Sequence, residues 1–441
     1  MRVARIAWDG SDAEAIAADV RAAAAAPPGL VARVGEIIES VAKRGDAALL
    51  ELTVHLDGVV ERPATVRVDP DEIERDRESL NPGLRAALEL AAGNIRAVAE
   101  AELEGVADTE ATLAQGQTVR IVERPVAAAG AYAPGGRASY PSSLLMACIP
   151  GRVAGVERVA LATPPEPDGR VGAVTLAAAA IAGVDEVYAL GGAHAVAALA
   201  LGTQTIEPVD VVAGPGNAWV TEAKRQLFGE IGVDGLAGPS ELAVVFDASA
   251  DPWHLALDLM AQAEHGADSP LLAVSPDAAA LDAVAKHIAA GAPERPSVAE
   301  APLALVEAPS LDAAIDLVDA LAPEHLELRF EGADAALAAE RVAGCVFVGS
   351  GGATAFGDYA AGSNHILPTG GAARFSGPHG VRTFMRRTSV VTLDDRAAAS
   401  LAPSVDRIAR AEGLPVHGES ARARATGARA GDEEVGDSPV T

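Results

Sequence analysis

The chain predicts an α/β protein with two doubly wound, Rossmann-like parallel-sheet units and small helical extensions at both ends. Three observations carry this. From about Gly130, apolar runs without period-2 alternation are each followed by a helical stretch, the pattern of strands covered on both faces. The alternation restarts near Glu241, which makes two such units. The 441 residues, 49% hydrophobic and 22% charged, are enough for two or three domains with cores of their own.

In chain order, residues 1–27 read as a helical arm closed by an Ala run and Pro27-Pro28. Residues 28–129 mix helical stretches (34–44, 82–103) with strand-like pieces near Val66 and over 119–126. With 241–381 they form the first α/β domain, and 130–240 form the second, on the cofactor side. Strands are expected over 156–162, 186–190 and 208–213, then over 241–247, 270–274, 303–307 and 344–349. Helices fill the gaps. In one of them, Asp251-Pro252-Trp253 is a helix start and Gly266 its stop. Residues 382–425 read as a helical C-terminal segment, and 426–441, rich in Gly, Ala, Ser and charge, as a disordered tail.

Composition excludes several classes. A net charge of −28 argues against nucleic acid, since a phosphate backbone needs a basic footprint. Apolar stretches such as 173–184 fall short of the roughly 20 residues that span a bilayer. Two cysteines give no disulfide framework, and Met1–Asp9 has two Arg but no apolar export region, so a cytoplasmic protein is expected.

Chemistry is concentrated in a few segments. Gln262 and His265, three apart at the end of one helix, share a face, so an amide oxygen and an imidazole converge there. Asp358 and His417 lie in Gly- and Pro-flanked segments, and one Gln, two His and one Asp suit a borderline divalent ion such as zinc. Glu324-His325 puts a carboxylate beside an imidazole on a turn: two proton-handling groups, or a solvated surface pair. Gly214-Pro-Gly216-Asn217, between a strand and a helix, could hold a phosphate or be a plain tight turn, and Gly191-Gly192-Ala-His194 could border the same cleft. Cys148 and Cys345 sit in apolar strings outside every site motif and read as small core residues.

Eight segments then appear in a single order. They are Pro134-Gly-Gly-Arg-Ala-Ser-Tyr-Pro-Ser-Ser, Ala213-Gly-Pro-Gly-Asn217, Ala237-Gly-Pro-Ser240-Glu241, Gln262-Ala-Glu-His265, Ala322-Pro-Glu324-His325-Leu-Glu, Gly357-Asp358-Tyr, Ser363-Asn-His365-Ile-Leu-Pro-Thr and Glu412-Gly-Leu-Pro-Val-His417. Over roughly residues 30–420 the chain closely resembles the histidinol dehydrogenase family. The resemblance implies one zinc per subunit on Gln262, His265, Asp358 and His417, with His365 behind them. It also implies L-histidinol held by Ser240, His325, Glu412 and the metal ligands, and NAD contacted by Tyr132, Asn217 and the 194 position. His325 and Glu324 would be the proton carriers of a four-electron oxidation to L-histidine through the aldehyde. Glu412 and His417 would complete a partner's site in a homodimer with exchanged C-terminal segments.

The chain departs from the family pattern at His194, where Gln is usual, which changes the donor–acceptor geometry expected there. It departs also at Ala147-Cys148 and Trp219. Two other readings compete: a zinc- and NAD-dependent dehydrogenase of another amino or sulfonated alcohol, and a zinc hydrolase using metal-bound water. Glu412, His417 and Ser240 speak against the first, and a hydrolase has no use for the Gly-Pro-Gly-Asn turn.

Overall fold

The computed structural model describes residues 1–22, 28–135, 139–298 and 300–426. The expected disordered tail therefore lies, but for its first residue, outside the described residues, as do Gly136 and Arg137 of the Gly-Gly-Arg turn. The strands are β1 (Arg2–Ala7), β2 (Thr109–Thr112), β3 (Thr118–Pro125), β4 (Ala128–Tyr132), β5 (Arg158–Thr163), β6 (Glu186–Ala189), β7 (Val211–Ala213), β8 (Gly232–Val233), β9 (Leu242–Phe246), β10 (Leu271–Ser275), β11 (Pro302–Glu307), β12 (His325–Arg329), β13 (Cys345–Val348) and β14 (Met385–Thr392).

The chain divides into two compact units, Met1–Leu103 with Pro125–Phe384, and Glu104–Arg124 with Met385 onward. The first contains both parallel sheets. One has six strands in the order β1-β11-β10-β9-β12-β13 and the other five in the order β6-β5-β4-β7-β8. Central β9 explains why its sequence is apolar throughout. Leu242, Val244 and Phe246 enter one core with Leu255 and Leu259, while Ala243 and Val245 enter another with Leu317 and Leu326. Both faces are covered, as expected of parallel strands. No helix among the described residues is long and apolar enough to cross a membrane.

Three boundaries differ from expectation. The N-terminal arm opens with β1, which pairs with β11 in parallel register from Arg2↔Pro302 to Ala7↔Glu307. Arg2 and Arg5 make it a charged, exposed edge strand, a polar pattern easily taken for a solvated helix. Leu30, Val34, Val41, Leu49 and Val66 pack with Tyr132, Tyr188 and Leu199 around the five-stranded sheet, so this stretch belongs to that layer and not to the six-stranded one. The C-terminal segment begins with β14, not with a helix: Thr388-Ser-Val-Val-Thr392 is β-branched, and β14 lies beside β3 in a three-stranded sheet whose β2–β3 pair is antiparallel. Two helices, Asp395–Ala411 and Pro415–Thr426, pack on each other in the same unit.

Candidate functional site

The helix Pro252–Ala263 forms where the sequence places it. Asp251 caps it by accepting from the amides of Trp253 and His254, and Pro252 occupies the first turn. It follows β9 and runs back across the sheet, so its C-terminal end returns to the amino ends of the strands. There Gln262 is buried, and His265 is exposed just past the helix end. Ser240 and Glu241 precede β9, Glu324 precedes the adjacent β12 and His325 begins it, in register with Leu242. Asp358 sits on the short helix Thr354–Tyr359 after β13.

A chain of contacts links these side chains. The Gln262 Nε2 donates to Ser240 Oγ at 2.6 Å, and Ser240 donates to Glu324 Oε2 at 2.6 Å. The same carboxylate oxygen accepts the Glu241 amide at 2.7 Å and lies 3.4 Å from His325 Nδ1. The His325 Nε2 is 3.6 Å from Asp358 Oδ1, and His365 Nδ1 is 3.0 Å from the Asp358 carbonyl, while its Nε2 meets Ser143 Oγ at 2.8 Å. Phe347 on β13 stacks on the His325 ring with centroids 6.0 Å apart. Gly357 permits this, since a Cβ there would come within 2.6 Å of the Phe347 ring.

Glu324-His325 is thus not a turn-borne surface pair. Glu324 ends the turn, His325 starts a strand, and they are 6% and 2% exposed. Their side chains meet, because the Glu324 carboxylate folds back to the amides of the neighbouring strand's lead-in. Burial opposes the imidazolium of His325, but the charges of Glu324 and Asp358 outweigh it and hold the pKa well above the usual histidine range. Burial likewise opposes the Asp358 carboxylate, yet His325, His365 and His265 around it bring its pKa below the ordinary value.

The sequence reading missed three groups here. Glu241 is buried and accepts the amides of Gly370 and Glu324; burial, reinforced by the Glu324 charge, pushes its carboxyl up to about 7. Glu327 and Arg329 continue the His325 face of β12. Their signal was available: a strand reading His-Leu-Glu-Leu-Arg alternates in polarity although both its faces are covered. Cys345 pairs in register with His325, and burial, which outweighs the His325 charge, raises its pKa and keeps it a thiol.

A second cluster lies at the carboxyl ends of the five-stranded sheet. Gly214 follows β7 with φ 117°, and a Cβ there would fall 2.0 Å from the Tyr132 carbonyl oxygen, so only glycine fits. Its amide donates to Asp234 at 2.7 Å and its carbonyl accepts from Lys224 at 2.6 Å. Asn217 is exposed and caps the helix Ala218–Leu227 through the amides of Trp219 and Val220. Tyr132 is buried, its hydroxyl accepts from the Gly192 amide at 3.1 Å, and burial pushes its pKa up to about 12. His194 has no exposed surface, which corrects the expectation of a direct cofactor contact. Its Nε2 is 3.0 Å from Asp57, whose carboxylate also accepts the Gly191 amide at 3.1 Å. The His194 ring supports the turn from beneath.

Glu412 and His417 belong to the other unit, where both are exposed at the junction of its two helices. Among the described residues no group of three or more His, Cys, Asp or Glu is arranged to hold a metal.

Comparison with known proteins identifies the family. The family model described as histidinol dehydrogenase matches residues 21–425. Histidinol dehydrogenase of Pseudomonas syringae pv. syringae is 44% identical over 401 residues, 89% of each chain. That of Moorella thermoacetica is 42% identical over 402 residues, 90% of this chain and 94% of the relative. The crystal structure of histidinol dehydrogenase from Elizabethkingia anophelis superposes with a TM-score of 0.87 at 29% identity, covering 97% of this chain and 98% of that one.

Proposed function

We propose, for a chain that belongs to the histidinol dehydrogenase family, how its residues divide the NAD-dependent oxidation of histidinol to histidine that this family performs in histidine biosynthesis. The observation that carries the reading is the contact chain Gln262–Ser240–Glu324–His325–Asp358 at one sheet edge.

Zinc fits the donors present. Gln262 commits its N–H to Ser240, which leaves its carbonyl oxygen for a cation. Asp358 is favoured as a carboxylate, and His265 is close enough to contribute to that. An amide oxygen, a carboxylate and an imidazole form a borderline set, and His417 of a second subunit would be the fourth ligand. Apolar Leu414 and Val416 beside it, 48% and 68% exposed, are suited to burial against a partner. Bound zinc would supply a Lewis acid that fixes and polarises the substrate, and NAD the hydride acceptor.

The chain's own residues handle the protons. With the Asp358 charge committed to zinc, the His325 imidazole would be free of the proton it otherwise holds and would take the alcohol proton as the carbon loses hydride, the Glu324 carboxylate beside it stabilising the imidazolium that results. Glu324 then takes a proton from the water that adds to the aldehyde. Its Oε2 is fixed by Ser240 and Glu241, and Oε1 has no hydrogen-bond donor among the described residues. The hydrate anion so formed would give the second hydride to a second NAD and leave as the carboxylic acid. Glu412 and Ser240 hold the substrate's polar groups. On the cofactor side, Asn217 and the amino end of its helix receive the dinucleotide, with Tyr132 behind them and His194 acting through the Gly191-Gly192 turn.

The test is stoichiometric. The full-length enzyme should yield two NADH per L-histidinol and lose turnover on chelation. A yield of one NADH, or chelator-resistant turnover, would refute the scheme. Inertness toward ester and amide substrates separates it from a zinc hydrolase.

A further inference from the structure

We infer that Glu327 is a positioning residue for the metal site, acting through the short helix that carries Asp358 and through the helix that carries Gln262 and leads into His265. The inference rests on the metal reading above.

Glu327 is wholly buried on β12, two residues from His325 and on the same face. Its Oε1 accepts both the backbone amide of Thr354, at 3.1 Å, and the Thr354 hydroxyl, at 2.9 Å. Thr354 is the first residue of the helix Thr354–Tyr359, and Ala353 before it offers no side-chain cap. The missing N-cap is therefore supplied from another strand, by a charged acceptor, one helical turn before Asp358 on the same face.

The other oxygen of Glu327 faces the opposite way. Its Oε2 accepts from Arg329 Nε at 3.1 Å and Nη2 at 3.0 Å. Arg329 Nη2 reaches Asp258 Oδ2 at 3.3 Å, and its Nη1 donates to the Gly349 carbonyl at the end of β13. Asp258 and Gln262 are spaced i, i+4 along one face of the helix Pro252–Ala263, and His265 follows just past its end. One buried network thus ties β12, which carries His325, to the short helix that carries Asp358 and to the helix that carries Gln262.

Stability alone does not account for it. Burying two carboxylates and one guanidinium is costly, and well-packed apolar residues often serve stability as well. What a charged network adds is direction: each oxygen of Glu327 fixes a different element, as the partners behind metal ligands commonly do.

The test uses full-length Glu327→Gln and Thr354→Val, read by competition with a chromogenic chelator for zinc and by the absorption spectrum of the cobalt(II)-loaded chain. Glu327→Gln is expected to weaken zinc binding by about 10–100-fold, and Thr354→Val by less, each with an altered cobalt spectrum. A cooperatively unfolding Glu327→Gln chain with zinc affinity within about twofold of the unaltered chain and an unchanged spectrum overturns the inference. Should Glu327→Gln not fold, Thr354→Val decides by the same two readouts. An unaltered chain that takes no zinc overturns the metal reading and this inference together, whereas tight zinc in all three chains overturns this inference alone.

Discussion

At Glu324, two hydrogen bonds from Ser240 and the Glu241 amide end on one oxygen, and the other has no hydrogen-bond donor among the described residues. That asymmetry predicts the outcome of Glu324→Gln. The first oxidation, in which Glu324 only supports His325, should slow far less than the second, which should slow by about 10²–10⁴-fold, the ordinary worth of a positioned base. Rapid-quench analysis would then find aldehyde accumulating; equal slowing of both steps contradicts the assignment. Glu241 gives a pH signature. Burial raises its folded-state carboxyl pKa to about 7, so the folded chain holds this proton more tightly than the unfolded chain does. Its sign is therefore negative for rising pH: stability falls from about pH 4.5 to about 7 by roughly 3 kcal/mol and is level above. Glu241→Gln should flatten the curve of melting temperature against pH over that window, and an unchanged slope contradicts the argument. At this scale the sequence was informative where a residue type is chemically unusual in its segment. Gln262 reaches Ser240, and His265 lies near enough to Asp358 for its charge to act there. Glu241 and Glu327 escaped notice because their role depends on burial by elements far away in the chain.

The elements explain why the boundaries were legible unevenly. Asp251-Pro252 and Gly266 bracket a helix through local chemistry, and local chemistry is what a sequence displays. β12 went unread because Pro323 and the left-handed Ala322 before it (φ 49°) look like a turn, and the strand owes its existence to pairing with β9 and β13. β1 and β14 were taken for helical extensions for the same reason. The cofactor-side turns depend on long-range partners as well. Asp57 accepts both the Gly191 amide and His194, and neither bond can be anticipated from residues 134 and 137 positions away. Asp57→Ala is expected to loosen this turn and raise the KM for NAD by about tenfold, the equivalent of one lost buried hydrogen bond, while zinc content stays at the unaltered level. Loss of zinc with an unchanged KM for NAD would contradict the separation of the two clusters.

For the whole molecule, the two doubly wound sheets followed from alternation and composition, and the family from eight ordered segments. Glu412 and His417 are exposed in the second unit, and the proposed exchange of C-terminal segments makes a prediction for them. A chain truncated before Glu412 should be inactive, as should Glu324→Gln in the full reaction. Mixed and reassociated, the two should regain a measurable fraction of turnover, because one site in a mixed dimer would hold an intact Glu324 and a donated Glu412 and His417. No recovery, with mixed dimers demonstrated by mass, would place the C-terminal residues in their own subunit's site.

The central claim is most directly tested by anomalous diffraction at the zinc edge from crystals grown with L-histidinol. The account predicts one peak per subunit within about 2.0–2.3 Å of Gln262 Oε1, a His265 ring nitrogen, Asp358 and the partner subunit's His417. A peak bounded by other residues, or none at a site where the substrate imidazole is well ordered, would contradict it.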